Sequence, residues 1–384
     1  MSGIASFIQR ALGDDLAILQ TNGLQLSGWT SAAISRGIEA FPSWFRFSAT
    51  ESFPFDPSQA TANPGDPCTV MLGADVVITG FVDSVEYQLE ADRHELVISG
   101  RGKCCDLIDC SADLSAAGIV GAQINNTNAL DLAQRLSKPF KIDVVNNSKQ
   151  KLPPIDSVEV ALGETPYEII ERACRFSTLI LYENEKGQLV LDDLGTKSMG
   201  SGFQEGGNIE GAQVRFDFSE RFSDYTVVWQ SVDTYSQMGS SVNYRAQATD
   251  KGVPRYRPKI IVSEQYSPDF NYGQRRVNWE VARRYGRSQA LTVRCDSWRD
   301  IGAMLWQLNY LAAVNVPSLK LTDRNWLIGS VTFTKDLGGT HAELLLMPPS
   351  AFSPQPNVLL PFDRQIGQDL NKPASPAPPG PGPN

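Results

Sequence analysis

Histidine is almost missing from this chain: there are two in 384 residues, His94 and His341. Both fall at the ends of predicted hairpins, so a Ser–His or Cys–His pair has few bases to draw on. Cysteine is sparse, and the six are not spaced as ligands. Cys104, Cys105 and Cys110 lie close together, but no Cys-x-x-Cys pair occurs. That excludes zinc-knuckle spacing and leaves small buried thiols of a cytoplasmic fold as the reading. Neither a metal nor a cofactor is expected. No apolar run comes near the ~20 residues a membrane helix needs. Met1–Arg10 has no basic leader or long apolar core, and Asp14 and Asp15 then interrupt the chain, so neither a secretory signal nor membrane insertion is expected. Positive charge is short as well: 34 Lys and Arg stand against 43 Asp and Glu, a net charge of −9 at pH 7. A surface built to neutralise phosphates shows the opposite balance. This one suits a path that nucleic acid passes without sticking.

The remaining chemical motifs fall short of enzyme sites. His94-Glu95-Leu96 opens like a zinc-protease helix, but the second histidine is missing and the pattern places it on a strand. Asp106 with Asp109, and Asp192 with Asp193, are carboxylate pairs of the type glycosidases use, and beside Arg and Lys their plainer role is ion pairing. No Gly-rich phosphate loop precedes a helix. The chain is not expected to be an enzyme.

What the sequence does hold is β patterning and aromatics: 17 Phe, 11 Tyr and 7 Trp. Over residues 17–112 short alternating runs follow one another, with Asn22-Gly23 as a tight-hairpin signal. Phe81–Glu90 alternates cleanly: Val85, Tyr87 and Leu89 point one way, and Ser84, Glu86, Gln88 and Glu90 the other. One buried face is therefore expected. Residues 113–210 change period and read as an α+β insertion. Asn128–Leu136 carries a helical stripe, and Thr165-Pro166-Tyr167-Glu168 reads as a helix start with a capping box. A hairpin turning at Asn184–Gly187 follows, and Gly195–Gly207 reads as a flexible connection. Strands return over 211–232 and 288–352. Residues 233–287 read as an inserted irregular loop and an Arg-rich helix. Residues 1–16 form a packing arm through Ile4, Phe7, Ile8 and Leu12, and the Pro/Gly-rich tail 353–384 has too little apolar content to fold alone. A weak internal repeat joins the β regions: Gly80–Val85, turn, Glu95–Ser99 resembles Gly329–Phe333, turn, Glu343–Met347. The expected fold is therefore mainly β with α+β insertions: two similar antiparallel barrels, 17–112 and 211–232 plus 288–352, with smaller α/β domains.

Two kinds of site suggest themselves. The helix with Arg275, Arg276, Arg283, Arg284 and Arg287 has only Glu280 as a nearby acid, and it reads as a solvated or subunit-facing helix or, alternatively, as a nucleic-acid contact. Together with Arg255, Tyr256, Arg257, Trp298 and Trp306 it is rich in types that anchor protein interfaces, so Arg255, Tyr256, Arg257, Arg276, Arg283, Trp298 and Trp306 are the candidate contact residues; the aromatics fit a barrel core equally well. The second is Gly100–Ser111, Gly-Arg-Gly-Lys-Cys-Cys-Asp-Leu-Ile-Asp-Cys-Ser. It has no nucleophile–base pair. A structural lock is expected, with Arg101 and Lys103 paired to Asp106 and Asp109.

This stretch closely resembles the G-R-x-K-x-x-D-L-I-D-C signature of the baseplate hub proteins of Mu-type contractile phage tails. Further stretches resemble the same family in the same order: Gly28-Trp29-Thr30-Ser31, Ser35-Arg36, Ile38-Glu39, Pro64-Gly65-Asp66, Ile78–Asp83, Arg221–Val227, Arg255–Pro258, and Trp298 through Gly302, Leu305-Trp306 and Asn309. The resemblance covers roughly residues 20–352. It implies a homotrimer of two barrels per chain, a six-barrel ring adapting the hexameric tail tube to the trimeric spike and leaving a channel for DNA. The implied partners are the chain itself, the tail tube protein, the spike protein and other baseplate proteins, with DNA only in transit. The implied location is the tail baseplate of the virion, assembled in the host cytoplasm. The alternatives are a tail-associated cell-wall hydrolase and a nucleic-acid binder of the tail lumen.

Overall fold

A computed structural model describes residues 16–50, 62–90, 94–230, 243–263 and 270–356. The first β region holds β1 (Ala17–Thr21), β2 (Leu24–Leu26), β3 (Ser31–Gly37), β4 (Trp44–Thr50), β5 (Pro67–Leu72), β6 (Asp75–Leu89) and β7 (His94–Gly102). β1 and β2 pair across Asn22-Gly23, the two-residue hairpin expected there. A short helix, α1 (Asp106–Asp109), follows β7.

The insertion then runs β8 (Gln123–Thr127), α2 (Ala129–Ser137), β9 (Val144–Asn146), β10 (Ile155–Glu159), α3 (Pro166–Phe176), β11 (Ile180–Glu183) and β12 (Leu189–Asp192). Asn128 caps α2 by accepting the Leu130 and Asp131 N–H groups, and Thr165 and Glu168 form the capping box of α3. Ile169, Ile170 and Ala173 of α3 pack with Leu132, Ala133 and Leu136 of α2 in a core of their own.

The chain next forms β13 (Lys197–Ser198), β14 (Phe203–Gln204) and β15 (Ile209–Phe216). Gly195–Gly207 is thus not merely a flexible connection: β13 and β14 lie parallel to a later strand and satisfy its edge. β16 (Asp224–Gln230), β17 (Asn243–Thr249) and β18 (Pro258–Val262) make a separate small sheet on which α4 (Phe270–Arg287) packs. Residues 224–230 therefore leave the second β region, and the part of 233–270 within the described residues is largely strand. The reason is a local core, Tyr225, Val227, Trp229, Ala246 and Val277, which buries one face of this sheet against the helix. β19 (Gln289–Cys295), β20 (Tyr310–Val316), β21 (Leu321–Asp336) and β22 (Gly339–Met347) complete the molecule. The arm 1–16 and the tail 353–384 fall largely outside the described residues.

The mainly-β expectation holds, but among the described residues the strands do not close into two separate barrels. β3 hydrogen-bonds along β21, from Ser330 opposite Gly37 to Lys335 opposite Ala32. That ladder fuses both β regions into one open fourteen-stranded sheet, ordered β15-β19-β22-β21-β3-β4-β7-β6-β5-β1-β2 with β20 beside β21. Its core runs from Leu19, Phe47 and Ile98 through to Val331, Phe333 and Leu344.

The internal repeat is legible in the register. β3-β4-β7-β6-β5 and β15-β19-β22-β21-β20 have the same order. The long strands β6 and β21 each carry a bulge against the next strand, between Val82 and Ser84 in one and between Ile328 and Ser330 in the other. A second bulge recurs at Val70/Met71 of β5 and at Val314/Val316 of β20. Counting outward from these points, Ser84 stands where Ser330 stands, Tyr87 where Phe333 stands, and Ala32 where Ala212 stands. One expectation fails at this point. The apolar face of β6 is not buried over its second half, where Tyr87 is 57% and Leu89 73% exposed, whereas the equivalent Phe333 is 1% exposed. The difference lies in what covers each strand. The second half of β21 has β22 on one side and β3 on the other, whereas among the described residues the second half of β6 has β7 on one side and no strand on the other.

Candidate functional site

The Gly100–Ser111 stretch forms the seam between the first β region and the insertion. At the end of β7 the Gly102 N–H donates to the Ser43 carbonyl at 2.8 Å, and a 3-10 turn over Lys103–Cys105 leads into α1. Arg101 forks between two acids, with Nε 2.6 Å from Asp83 Oδ2 and Nη2 2.7 Å from Asp109 Oδ2. Hydrogen bonds to Asp109 first, and to Asp83 next, hold its guanidinium above its usual range. Lys103 departs from the expected lock: the turn sends it across the seam, where Nζ donates to the Lys141 carbonyl. Asp106 Oδ1 instead accepts a weak contact from Cys105 Sγ at 3.7 Å.

Beneath this surface sits a residue that sequence reasoning missed. Glu183 ends β11 and is 2% exposed. Its Oε1 accepts the Cys104 N–H at 2.9 Å and its Oε2 accepts the Ser43 N–H at 3.2 Å, so one carboxylate ties the seam turn, the first β region and the insertion together. Arg36 of β3 donates to the Glu183 carbonyl at 3.4 Å and lies 3.8 Å from Glu185. Burial pushes the Glu183 carboxyl up and the Arg36 guanidinium down, each opposed by the other's charge. Glycine is required at Gly102 because a Cβ there would stand 2.0 Å from Glu183 Oε2. The available signal was an acid closing the apolar run Ile-Leu-Tyr-Glu, together with the glycine of the Arg-Gly-Lys step.

The Arg-rich helix α4 is a second seam. Arg276 and Arg284 share Glu280, at 2.7 and 3.0 Å. Arg284 also reaches Glu220 at 2.8 Å, and Arg283 and Arg287 both reach Glu39, at 2.8 and 2.5 Å. Arg276 and Arg283 stack over Trp279. Arg276, Arg283, Arg284 and Arg287, four of the arginines that suggested a nucleic-acid track, are thus paired within the chain, with Glu280 on the helix itself and with Glu39 and Glu220 far away in sequence. Arg257 is likewise turned inward, donating to the Phe218 and Ser219 carbonyls at 2.8 Å. Trp298 and Trp306 are 2% and 0% exposed. Trp298 Nε1 donates to the Thr334 carbonyl and Trp306 stacks on Phe203, so these two are core rather than contact residues. Of the candidates, Arg255 and Tyr256 stand exposed, Tyr256 at 81%.

The titratable groups offer little chemistry. Burial pushes the thiols of Cys68, Cys105 and Cys295 up to about 12, and raises those of Cys104, Cys110 and Cys174, so none is a ready thiolate. His341 is 8% exposed beside Glu210, with Nδ1 2.9 Å from Oε2. Among the described residues no group of three or more His, Cys, Asp or Glu could hold a metal. No described helix is long and apolar enough to cross a membrane.

Known proteins give this architecture a place. The Mu phage baseplate assembly protein GpP-like N-terminal model matches residues 17–102, the gp44-like baseplate hub second-domain model matches 104–193, and the GpP fourth-domain model matches 270–355. The chain is 28% identical over 342 residues to the baseplate hub protein gp44 of Escherichia phage Mu, covering 87% of this chain and 88% of that one. It resembles the crystal structure of the 43 kDa tail protein of prophage MuSo2 from Shewanella oneidensis, with a TM-score of 0.78, 29% identity, and 88% of this chain and 99% of that one covered. A tail protein of Neisseria meningitidis shares the fold at a TM-score of 0.72 and 20% identity, over 89% of this chain and 99% of that one. With three models in chain order, one meeting the next at the Gly102–Cys104 seam, the chain belongs to the baseplate hub family of Mu-type contractile phage tails.

Proposed function

We propose that this protein is the ring-forming hub of the baseplate: a homotrimer that adapts a hexameric tail tube to a trimeric spike and leaves a channel for DNA. The register-matched repeat carries the reading. Each chain holds two similar β units, so three chains present six similar surfaces to a sixfold partner while keeping threefold symmetry for the spike. The division of the chain follows the cores: two β units in one sheet, the α+β insertion of residues 104–193, and the small sheet with α4. Exposed Arg255 and Tyr256, beside Ile260 at 68% exposure, are contact sites for tube, spike or other baseplate proteins. The role is structural rather than enzymatic. The net charge of −9 supports a wall past which DNA slides. The virion tail baseplate is its location and the host cytoplasm its place of assembly. Light scattering on the full chain, alone and with tube and spike proteins, tests this. Three times the chain mass and a ring with six similar lobes in electron micrographs are expected. A monomer that binds neither partner overturns it.

A further inference from the structure

Within the chain, one β unit docks on the other by a single ladder: β3 of the first lies along the second half of β21 of the second. The repeat makes β15 the counterpart of β3, and β6 the counterpart of β21. Both counterpart edges are open among the described residues: β15 ends the sheet, and β6 is paired beyond Phe81 on its β7 side alone. We infer that β15 of one subunit adds to the second half of β6 of the next, copying between chains the joint that β3 and β21 make within one. This rests on the trimeric reading above and names its interface.

The register follows from the in-chain joint and is not adjustable. Phe333 opposite Ile34 maps onto Tyr87 opposite Val214, and Val331 opposite Arg36 maps onto Val85 opposite Phe216. Thr332 opposite Ser35, whose hydroxyls lie 3.0 Å apart, maps onto Glu86 opposite Arg215. The side chains that the map brings together agree in kind. The apolar pairs fall on one face, and an acid meets a base on the other. A slip of one residue would set every pair on the wrong face.

Exposure supports the same pairing. Phe216 is 50% exposed, and the side chains of Arg215 and Glu86 are 75% and 48% exposed. Within the chain, Arg215 pairs with Asp217, and Glu86 lies 3.9 Å from Arg46; Arg215 on β15 and Glu86 on β6 stand on the two open edges with much of each side chain exposed. By contrast the counterpart β3 is buried along most of its length, because its joint is made. A long β edge with apolar residues on one face invites pairing, and proteins otherwise blunt such edges. The contact is heterologous, so repetition closes a ring if the rotation fits.

The full chain carrying Glu86→Cys and Arg215→Cys tests the joint. Mild oxidation is expected to give a covalent ladder ending at three chain masses, absent from either single variant. Glu86→Arg and Arg215→Glu, each alone, are expected to weaken association at least tenfold in concentration, and together to restore most of it. A wild type that is trimeric, with no paired-cysteine ladder and no charge-swap rescue, overturns this joint and leaves the trimer standing. A wild type that stays monomeric at every concentration, with and without tube and spike proteins, overturns both.

Discussion

Glu183 shows how much one side chain can hold. It is buried, it accepts two backbone N–H groups from two parts of the fold, and burial raises its pKa. A carboxyl whose pKa rises on folding binds its proton more tightly in the folded chain. Its contribution to stability is full below the ordinary glutamate range and declines as pH climbs from that range to the raised folded value. Glutamine mimics the protonated form. Glu183→Gln is therefore expected to gain on the wild type as pH rises from about 4, read as the difference in melting temperature across pH; a difference moving the other way would refute the assignment. Arg101 is a milder case. Its side chain is 34% exposed, so solvent screens both its pairs. Arg101→Ala should cost about 1 kcal/mol, seen as a small drop in the denaturant midpoint. No change in stability or assembly would show that Arg101 does not hold the seam.

Elements meet where their sequences leave room. α4 lies on the small sheet with Gly273 against the Trp229 ring, and a Cβ at that position would stand 2.1 Å from the ring carbons. Glycine inside an exposed helix is a weakness, and alanine there usually gains about 0.5–1 kcal/mol. At this contact the sign reverses. Gly273→Ala should destabilise by roughly 1–3 kcal/mol, because the helix or the indole must shift. Thermal unfolding followed by tryptophan fluorescence checks this, and a stabilised variant would mean that α4 packs elsewhere. The helix itself was legible from its periodicity. Its docking was not, because Glu39 and Glu220, which neutralise Arg283, Arg284 and Arg287, lie far off along the chain.

At the scale of the whole molecule, the balance of charge bears on what can run along the hub's surface. Acid outnumbers base, and the arginine cluster that suggested a nucleic-acid track is largely paired internally. Duplex DNA is expected to show no retention by the purified protein at physiological salt. A shifted band whose affinity falls steeply with salt would reveal a basic track and favour the lumen-binder reading.

The alternation of β6, the turn at Asn22-Gly23, the capping box at Thr165 and Glu168 and the change of period after residue 112 are local properties of the chain, and they determined the strands, the insertion and the mainly-β class. The colinear motifs determined the family, and the repeated Gly-led hairpins pointed to two similar units. Tertiary structure decided the rest. Whether two β regions form separate barrels or one sheet depends on the ladder between β3 and β21, whose partners lie about 300 residues apart, roughly the separation of Ser35 and Thr332. Whether Trp298 and Trp306 anchor a partner or fill a core depends on what surrounds them, and composition is the same in either case. The apolar face of β6 is the clearest instance. Its pattern called for cover, and whether a strand lies along the outer side of its second half is a matter of how the whole sheet is ordered, which alternation along one strand does not encode.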